Sequence, residues 1–307
     1  MNRWKLTYEL RIFFSEPVSC HSYSLRCFPG IRKTQDIRSC ICRITPCSGP
    51  QGRDRDSFGN SVLYGRIEEG CREFRVRVEA KTAVREGPEP EPSAWQKLGM
   101  YRYQTPYTRP GETIREFYAR HQNHLPEVFT PWERADVWME ALADQFVYQS
   151  GSTDAGTTAE QAFAQGCGVC QDYAQILLSL LREEGITARY TAGAVPGEGE
   201  THAWVEVWQG GYWRGFDPTN NRRTDASYLV FAVGRDAWDC GLNRGVFRGN
   251  AAQEKQVYVK MEEMEHGQDD CGGIPSGDGE AEDPEKPADR RKREGEEADQ
   301  YRDGSPR

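Results

Sequence analysis

A cysteine opens a strongly amphipathic stretch at residues 168–185, which read GVCQDYAQILLSLLREEG. The apolar residues recur at helical spacing, and Gly185 is a typical residue just beyond a helix C-terminus. The sequence therefore predicts a helix from about Cys170 to Glu184. Unpaired backbone N–H groups and the helix dipole favour an anion at the first turn, so they favour the thiolate of Cys170 and a developing oxyanion beside it.

Two later motifs supply the polar partners that a reactive thiol needs. Residues 201–207, THAWVEV, have the alternation of a strand and place His202 near its start. Residues 215–220, GFDPTN, place Asp217 at the end of the next strand. A cysteine, a histidine and an aspartate can serve as nucleophile, general base and orienting group. Each alone is more often structural, but together they predict a catalytic triad of Cys170, His202 and Asp217.

The surrounding pattern places these motifs in an α+β domain. Helices are predicted at residues 112–122, from a capping box at Thr130 to about Tyr148, and from a second box at 157–160 to Gly166. After the cysteine helix the apolar period changes to two. Strands are then predicted at residues 188–191, 203–208, 212–216, 228–233 and 256–261. Helices followed by mostly antiparallel strands are typical of the α+β class.

The rest of the chain divides by composition. Residues 1–85 alternate apolar and polar positions and carry turn signals, which predicts a small β-sandwich domain, although the stretch 38–55 has no clear assignment. Residues 86–94 alternate prolines with acids and read as an exposed linker. Residues 95–265 then form the catalytic domain, and residues 266–307 are predicted to be a disordered charged tail.

The charge balance excludes some partners. The chain has 39 Lys and Arg against 48 Asp and Glu, a net charge of −9. The tail holds 13 acids and 7 bases, and the remainder has 35 acids and 32 bases, so neither part has the basic excess of a nucleic-acid binder. No apolar run approaches the roughly 20 residues that span a bilayer, and charges interrupt any signal peptide. We therefore expect a cytoplasmic protein with no membrane partner.

The three motifs resemble those of the transglutaminase-like superfamily, in its microbial branch with an N-terminal β domain. Further motifs along the chain match the same branch. DSFGN at residues 56–60 is similar to a turn of that domain, and VGRD at 233–236 and RGVFRG at 244–249 are similar to its closing motifs. The resemblance implies a papain-like core of helices packed on an antiparallel sheet, with Cys170, His202 and Asp217 as the triad. It also implies acyl transfer from a peptide or glutamine-type amide through a thioester.

The sequence departs from this pattern at two positions. Gln175 stands where many relatives carry a histidine, and Cys167 has no role in the family pattern. No calcium loop is visible, so we expect no calcium dependence. The second oxyanion donor is not identifiable. Gln165 is a weak candidate, and a solvated helix residue is its simpler interpretation.

Three alternatives remain beside the enzyme. The fold could serve as a non-catalytic protein-binding module, or Cys167 and Cys170 could form a CxxC thiol redox pair. A zinc site would need further ligands such as Cys240 or His266, which lack supporting spacing. With ten cysteines and no export signal, we expect reduced thiols.

The sequence therefore predicts a cysteine peptidase or amidase that needs no cofactor or metal. We favour hydrolysis over cross-linking because water is always present as an acceptor. The expected partner is a protein or peptide substrate. The oligomeric state is not predicted.

Overall fold

The computed structural model describes residues 1–47, 49–91, 98–122 and 130–265. The predicted disordered tail, residues 266–307, lies outside these residues, as does the end of the predicted linker. In the described part of the chain, no helix combines the length and the apolar character needed to cross a bilayer.

The N-terminal region is a curled antiparallel sheet, which confirms the β structure predicted there. Its first strand is long, and the alternating apolar residues of its first half are buried, because successive side chains of a strand point to opposite faces. That half pairs with β5, and the second half pairs with β4. The strands are β1 (Asn2–Leu25), β2 (Gln35–Thr45), β3 (Gln51–Arg55), β4 (Ser61–Ile67) and β5 (Cys71–Val84).

Four helices follow: α1 (Glu112–Gln122), α2 (Pro131–Ala143), α3 (Ala159–Gln165) and α4 (Cys170–Glu183). The capping box at Thr130 opens α2 as predicted, but the helix ends at Ala143 rather than near Tyr148. The second capping box joins Thr158 to Gln161. Glu160 instead accepts hydrogen bonds from backbone N–H groups at the start of α1, so it fixes the first turn of another helix.

The helices pack on an antiparallel sheet, as the α+β prediction requires. Alternation along the central strand sends Ala203, Val205 and Val207 into the same core as the apolar face of α4. The strand order is β13-β12-β11-β9-β14, with β6 also paired to β12. The strands are β6 (Glu89–Pro90), β9 (Ala188–Ala194), β11 (His202–Gln209), β12 (Tyr212–Asp217), β13 (Arg222–Arg223) and β14 (Leu229–Gly234).

The short β7 (Val147–Tyr148) and β8 (Cys167–Gly168) pair in parallel just before the cysteine helix. This pairing occupies the residues that the sequence assigned to the end of α2, because the N–H of Val147 bonds to the carbonyl of Gly166 instead of continuing the helix.

The last strands return to the N-terminal sheet. β15 (Asn243–Arg248) pairs with the second half of β1, and β16 (Gln253–Glu263) pairs with the first half. β10 (Gly197–Gly199) adds to the other edge of β16. The sequence assigned residues 95–265 to one domain, whereas residues 243–263 lie in the sheet that starts at residue 2. Alternation of apolar residues does not indicate which sheet a strand joins, since it is the same in both.

A buried ion-pair network joins the two sheets. The carboxylate of Glu206 on β11 accepts from Arg32, which precedes β2, at 2.7 Å, and from Arg189 on β9 at 2.8 Å. The three side chains are 6%, 9% and 7% exposed. The guanidinium of Arg189 also lies 4.0 Å over the ring of Trp213. The network therefore holds the strand that carries His202 against the N-terminal region.

We expect Glu206→Gln to lower the free energy of unfolding by about 3–5 kcal/mol, because it removes the carboxylate that two buried guanidinium groups share and leaves them only the longer contacts with Glu89 and Glu91. Chemical denaturation measures this loss. Glu198→Gln is the control, since Glu198 forms an exposed pair with Lys260 and should cost less than about 1 kcal/mol. Equal losses in the two variants would contradict a special role for the buried network.

Candidate active site

The start of α4 holds Cys170 at the first helical position. Val169 before it is extended, and its N–H donates to the carboxylate of Asp172 at 2.8 Å. The hydroxyl of Thr153 donates to the same oxygen at 2.6 Å. A Cβ at Gly168 would lie 2.6 Å from that oxygen, so glycine is required for this close approach. These contacts fix the turn that presents the half-buried Cys170, whose Sγ lies 3.9 Å from the carbonyl oxygen of Thr201.

His202 and Asp217 meet at the ends of adjacent strands. β11 and β12 are antiparallel neighbours, and His202 Nε2 lies 2.7 Å from Asp217 Oδ2. The structure thus brings these two predicted residues into direct contact. Since Nε2 faces the carboxylate, Nδ1 is the ring nitrogen left for Cys170. The ring of Trp204, two residues along β11, stacks on the imidazole with centroids 6.2 Å apart.

The electrostatics of the site favour a protonated histidine. Burial lowers the pKa of His202, but hydrogen bonds to Asp217 and Cys170, with Coulombic attraction to both, outweigh it and raise the pKa to about 10. At neutral pH the imidazolium form is therefore favoured between a carboxylate and a sulfur.

Asp217 is fully buried and accepts hydrogen bonds at both oxygens. Besides His202, its Oδ2 accepts from Asn220 Nδ2 at 2.7 Å and from the Tyr228 hydroxyl at 2.8 Å. Its Oδ1 accepts from the backbone N–H groups of Thr219 and Asn220. Burial raises the pKa of this carboxyl, but the interactions with His202, Asn220 and Tyr228 together lower it. Asp217 is thus held as an anion in one orientation.

Tyr228 is a site residue that the sequence did not single out. It stands one residue before β14 and outside the three motifs, and no local signal points from it to Asp217. Burial and the neighbouring carboxylate raise its pKa, so it stays a neutral hydrogen-bond donor. Its ring also packs edge-on against Trp204, at 5.3 Å between centroids. Tyr228 is therefore placed to hold both the aspartate and the aromatic neighbour of the histidine.

We expect Tyr228→Phe to raise the pKa of Asp217 and to lower the free energy of unfolding by about 1.5–3 kcal/mol, because a buried charged acceptor loses one donor while the ring packing is retained. Denaturation measures the stability, and an NMR titration of the Asp217 carboxyl carbon measures its pKa. Tyr212→Phe, at an exposed tyrosine, is the control. Unchanged stability in Tyr228→Phe would remove the hydroxyl from the site.

The other residues raised by the sequence lie outside this constellation. Gln165 Nε2 donates to the carbonyl of Ser152 at 3.1 Å, and its amide also lies 3.4 Å from Cys167 Sγ. Gln175 is buried and donates to the carbonyl of Thr157 at 3.2 Å. Neither amide is bonded to the cysteine of α4.

The described residues include no cluster of three or more His, Cys, Asp or Glu side chains that could hold a metal ion. Of the two zinc candidates, Cys240 is buried and bonds to the carbonyl of Tyr190, while His266 is outside the described residues.

A cleft with a volume of about 870 Å³ contains both Cys170 and His202. Part of its wall comes from the N-terminal sheet, through residues of β1, β15 and β16. The size lies within the usual range for sites that enclose a ligand. The N-terminal sheet therefore forms part of the wall around the reactive groups.

Two family models match the chain. The bacterial transglutaminase-like N-terminal region matches residues 4–82, and the transglutaminase-like superfamily core matches residues 120–218, which include the cysteine, the histidine and the aspartate. The uncharacterized protein ML0607 of Mycobacterium leprae is 36% identical over 134 residues, or 40% of this chain. That match spans 47%, about half, of the relative's length.

The uncharacterized protein Rv2569c of Mycobacterium tuberculosis is 28% identical over 283 residues, which cover 81% of this chain and 89% of that protein. A solved structure from Cytophaga hutchinsonii, described as a candidate cysteine protease, superimposes with a TM-score of 0.69. It covers 86% of this chain and 91% of its own at 18% identity, so it supports the fold alone. With the N-terminal and core regions matched in order, the chain belongs to the transglutaminase-like superfamily, as its motifs predicted.

Proposed function

We propose that this protein is a cysteine-dependent acyl-transfer enzyme with Cys170 as nucleophile, His202 as acid and base, and Asp217 as the orienting group. The observation that carries the proposal is the 2.7 Å contact between His202 and a fully buried, fivefold hydrogen-bonded Asp217, in a cleft that also holds a cysteine at a helix start. Cysteine–histidine pairs held in this way are activated nucleophiles.

In the proposed reaction the Cys170 thiolate attacks the carbonyl carbon of an amide. The C–N bond breaks, and His202 gives its proton to the departing amine or ammonia. Water then attacks the thioester while His202 takes one of its protons, and the C–S bond breaks, which releases a carboxylic acid and restores the thiolate beside the protonated His202. The backbone N–H groups of Cys170 and Gln171 precede the first intrahelical bonds and can stabilise the oxyanion of both steps.

Asp217 has two tasks in this scheme. It fixes the imidazole so that Nδ1 faces Cys170, and its charge stabilises the imidazolium that must persist until the leaving group departs. We propose hydrolysis of a peptide or amide bond as the overall reaction, because nothing in the sequence points to a dedicated site for an amine acceptor. The peptide substrate and the cytoplasmic location stay predictions.

The first test is the pH dependence of iodoacetamide labelling at Cys170, followed by peptide mass spectrometry in the wild type and in His202→Ala. We expect the wild-type thiol to label faster than the other cysteines and at lower pH, since an imidazolium favours its thiolate. The advantage should disappear in His202→Ala. His121→Ala, which removes a histidine bonded to the carbonyl of Phe117, should leave it unchanged.

Labelling of Cys170 at the rate of the other thiols, with no change in His202→Ala, would contradict the proposed pair. Turnover of glutaminyl and peptide amides, with and without an added primary amine, then separates hydrolysis from cross-linking. Hydrolysis predicts a free carboxylic acid product in both conditions, whereas cross-linking predicts an amide of the added amine.

A further inference from the structure

Arg244 on β15 lines the same cleft as Cys170 and is held there by an aromatic ring. Its guanidinium carbon lies 4.8 Å over the ring of Trp238, which itself stacks on Tyr107 with planes 11° apart. In residues 1–47, 49–91, 98–122 and 130–265, no carboxylate forms an ion pair with this guanidinium. The stack thus orients a cation without neutralising its charge.

The wall around Arg244 carries enclosed polar atoms that the described residues leave without a hydrogen-bond partner. They are Arg244 Nη2, Asn243 Oδ1 and His21 Nδ1, and all three residues line the cleft. His21 is 2% exposed. Buried polar atoms are nearly always paired in native proteins because an unpaired one destabilises the fold. Three of them lie in one wall, so the described residues leave part of the hydrogen-bonding capacity of that wall unused.

The charged side chains of the cleft indicate which charge a bound group carries. Besides the paired Cys170 and His202, its lining contains two cationic side chains, Arg244 and Lys255, and one acidic side chain, Glu200. Lys255 keeps contact with solvent, yet surrounding protein atoms lower its pKa through desolvation, against the attraction of Glu200. A cleft with excess positive charge favours an anionic group.

We propose that Arg244, supported by Trp238, forms a subsite that recognises a carboxylate on the peptide acyl donor. The inference rests on the proposed function, which makes this cleft the substrate site. The planar guanidinium offers two parallel N–H donors that match a carboxylate, and the ring of Trp238 holds that plane in advance. The carboxylate comes either from an aspartate or glutamate side chain or from a peptide C-terminus.

The test uses N-acetylated heptapeptides in which each position in turn is Glu or Gln, made with a free or an amidated C-terminus. Binding is measured by calorimetry to the Cys170→Ala protein, and turnover is measured with the protein that keeps Cys170. We expect a carboxylate at one position to improve both affinity and kcat/KM by about tenfold. The position identifies the source, since a side chain responds to Glu against Gln and a terminus responds to amidation.

Arg244→Gln should abolish this preference, so that the Glu and Gln peptides bind and react equally well. Arg244→Lys keeps the positive charge but loses the two parallel N–H donors, so it should retain only part of the preference. Arg248→Gln is the matched control, since Arg248 lies on the same strand, is exposed and does not line the cleft. It should keep the full preference. Circular dichroism of each variant checks that it folds.

Equal binding of the Glu, Gln, free and amidated peptides, or no binding of any, would overturn the subsite. A preference that survives in Arg244→Gln would overturn it as well. Selective binding of acidic peptides without turnover would contradict the proposed catalysis and leave the subsite standing. Turnover that is equal for acidic and neutral peptides would overturn the subsite and leave the proposed catalysis standing.

Discussion

Cys170→Ala should remove turnover almost completely, with a loss on the order of 10⁶ in kcat, as expected when a catalytic nucleophile is removed. The melting temperature should change by no more than a few degrees. The thiol is half-buried at the helix start, where it interacts with His202 and makes a weak 3.9 Å approach to the carbonyl of Thr201. Kinetics with a responsive peptide amide and a thermal melt measure the two effects.

Cys167→Ser is the matched control for this prediction. Cys167 lies three residues earlier, is also half-buried, and differs in lying on β8 rather than on the helix. Its replacement should leave most of the activity. Full activity in Cys170→Ala would refute the assignment of Cys170 as the nucleophile. Equal losses in both variants would favour the CxxC thiol pair.

Asp217→Asn should lower kcat/KM by about 10³–10⁴, comparable to the loss when the orienting aspartate of a triad becomes an amide. The local bonding makes the change severe here. Both carboxylate oxygens accept from donors, so the new NH₂ group meets N–H or O–H groups whichever way the amide is turned. His202 then loses the anion beside it, and the buried groups that donate to Asp217 lose an acceptor.

The pKa of His202 gives an independent measurement of the same change. Its folded pKa of about 10 lies above the ordinary value of 6.5, so protonated His202 stabilises the fold fully below pH 6.5. That contribution is lost as the pH rises through about 10. In Asp217→Asn the pKa should fall, and the pH dependence of stability over this window should weaken.

An NMR titration of the imidazole follows the pKa directly, with His21 and His121 as internal references. Asp136→Asn, which removes a partly exposed partner of Arg223, is the control and should leave the pKa of His202 unchanged. A wild-type value for His202 in Asp217→Asn would remove the aspartate from the triad.

The sequence was sufficient for the elements that local patterns determine. α1 matches residues 112–122, α4 begins at Cys170, and Gly185 has the positive φ of a residue that ends a helix. The strand of His202 was predicted because period-two alternation depends only on which side chains are buried. The sequence also allowed a contact between His202 and Asp217, since adjacent antiparallel strands can bring their ends together, but the spacing alone does not show that the two residues meet.

Non-local pairing could not be predicted in the same way. β16 was predicted as a strand, but its partner β1 lies at the other end of the described chain. Tyr228 was missed because its role depends on an Asp217 contact that no sequence spacing specifies. The stretch 38–55 forms parts of β2 and β3, whose cysteines and arginines give only weak alternation.

The pairing of β1 with β16 also sets an order of events during synthesis. Phe14 lies opposite Gln253, so one edge of the first strand stays unpaired until nearly all of the described chain has been made. At roughly 5–20 residues per second, that interval is on the order of 10–50 s. An apolar strand with an open edge is a template for wrong pairing. The nascent chain is therefore expected to need chaperone protection over this interval, and slow or interrupted translation should direct it towards aggregates.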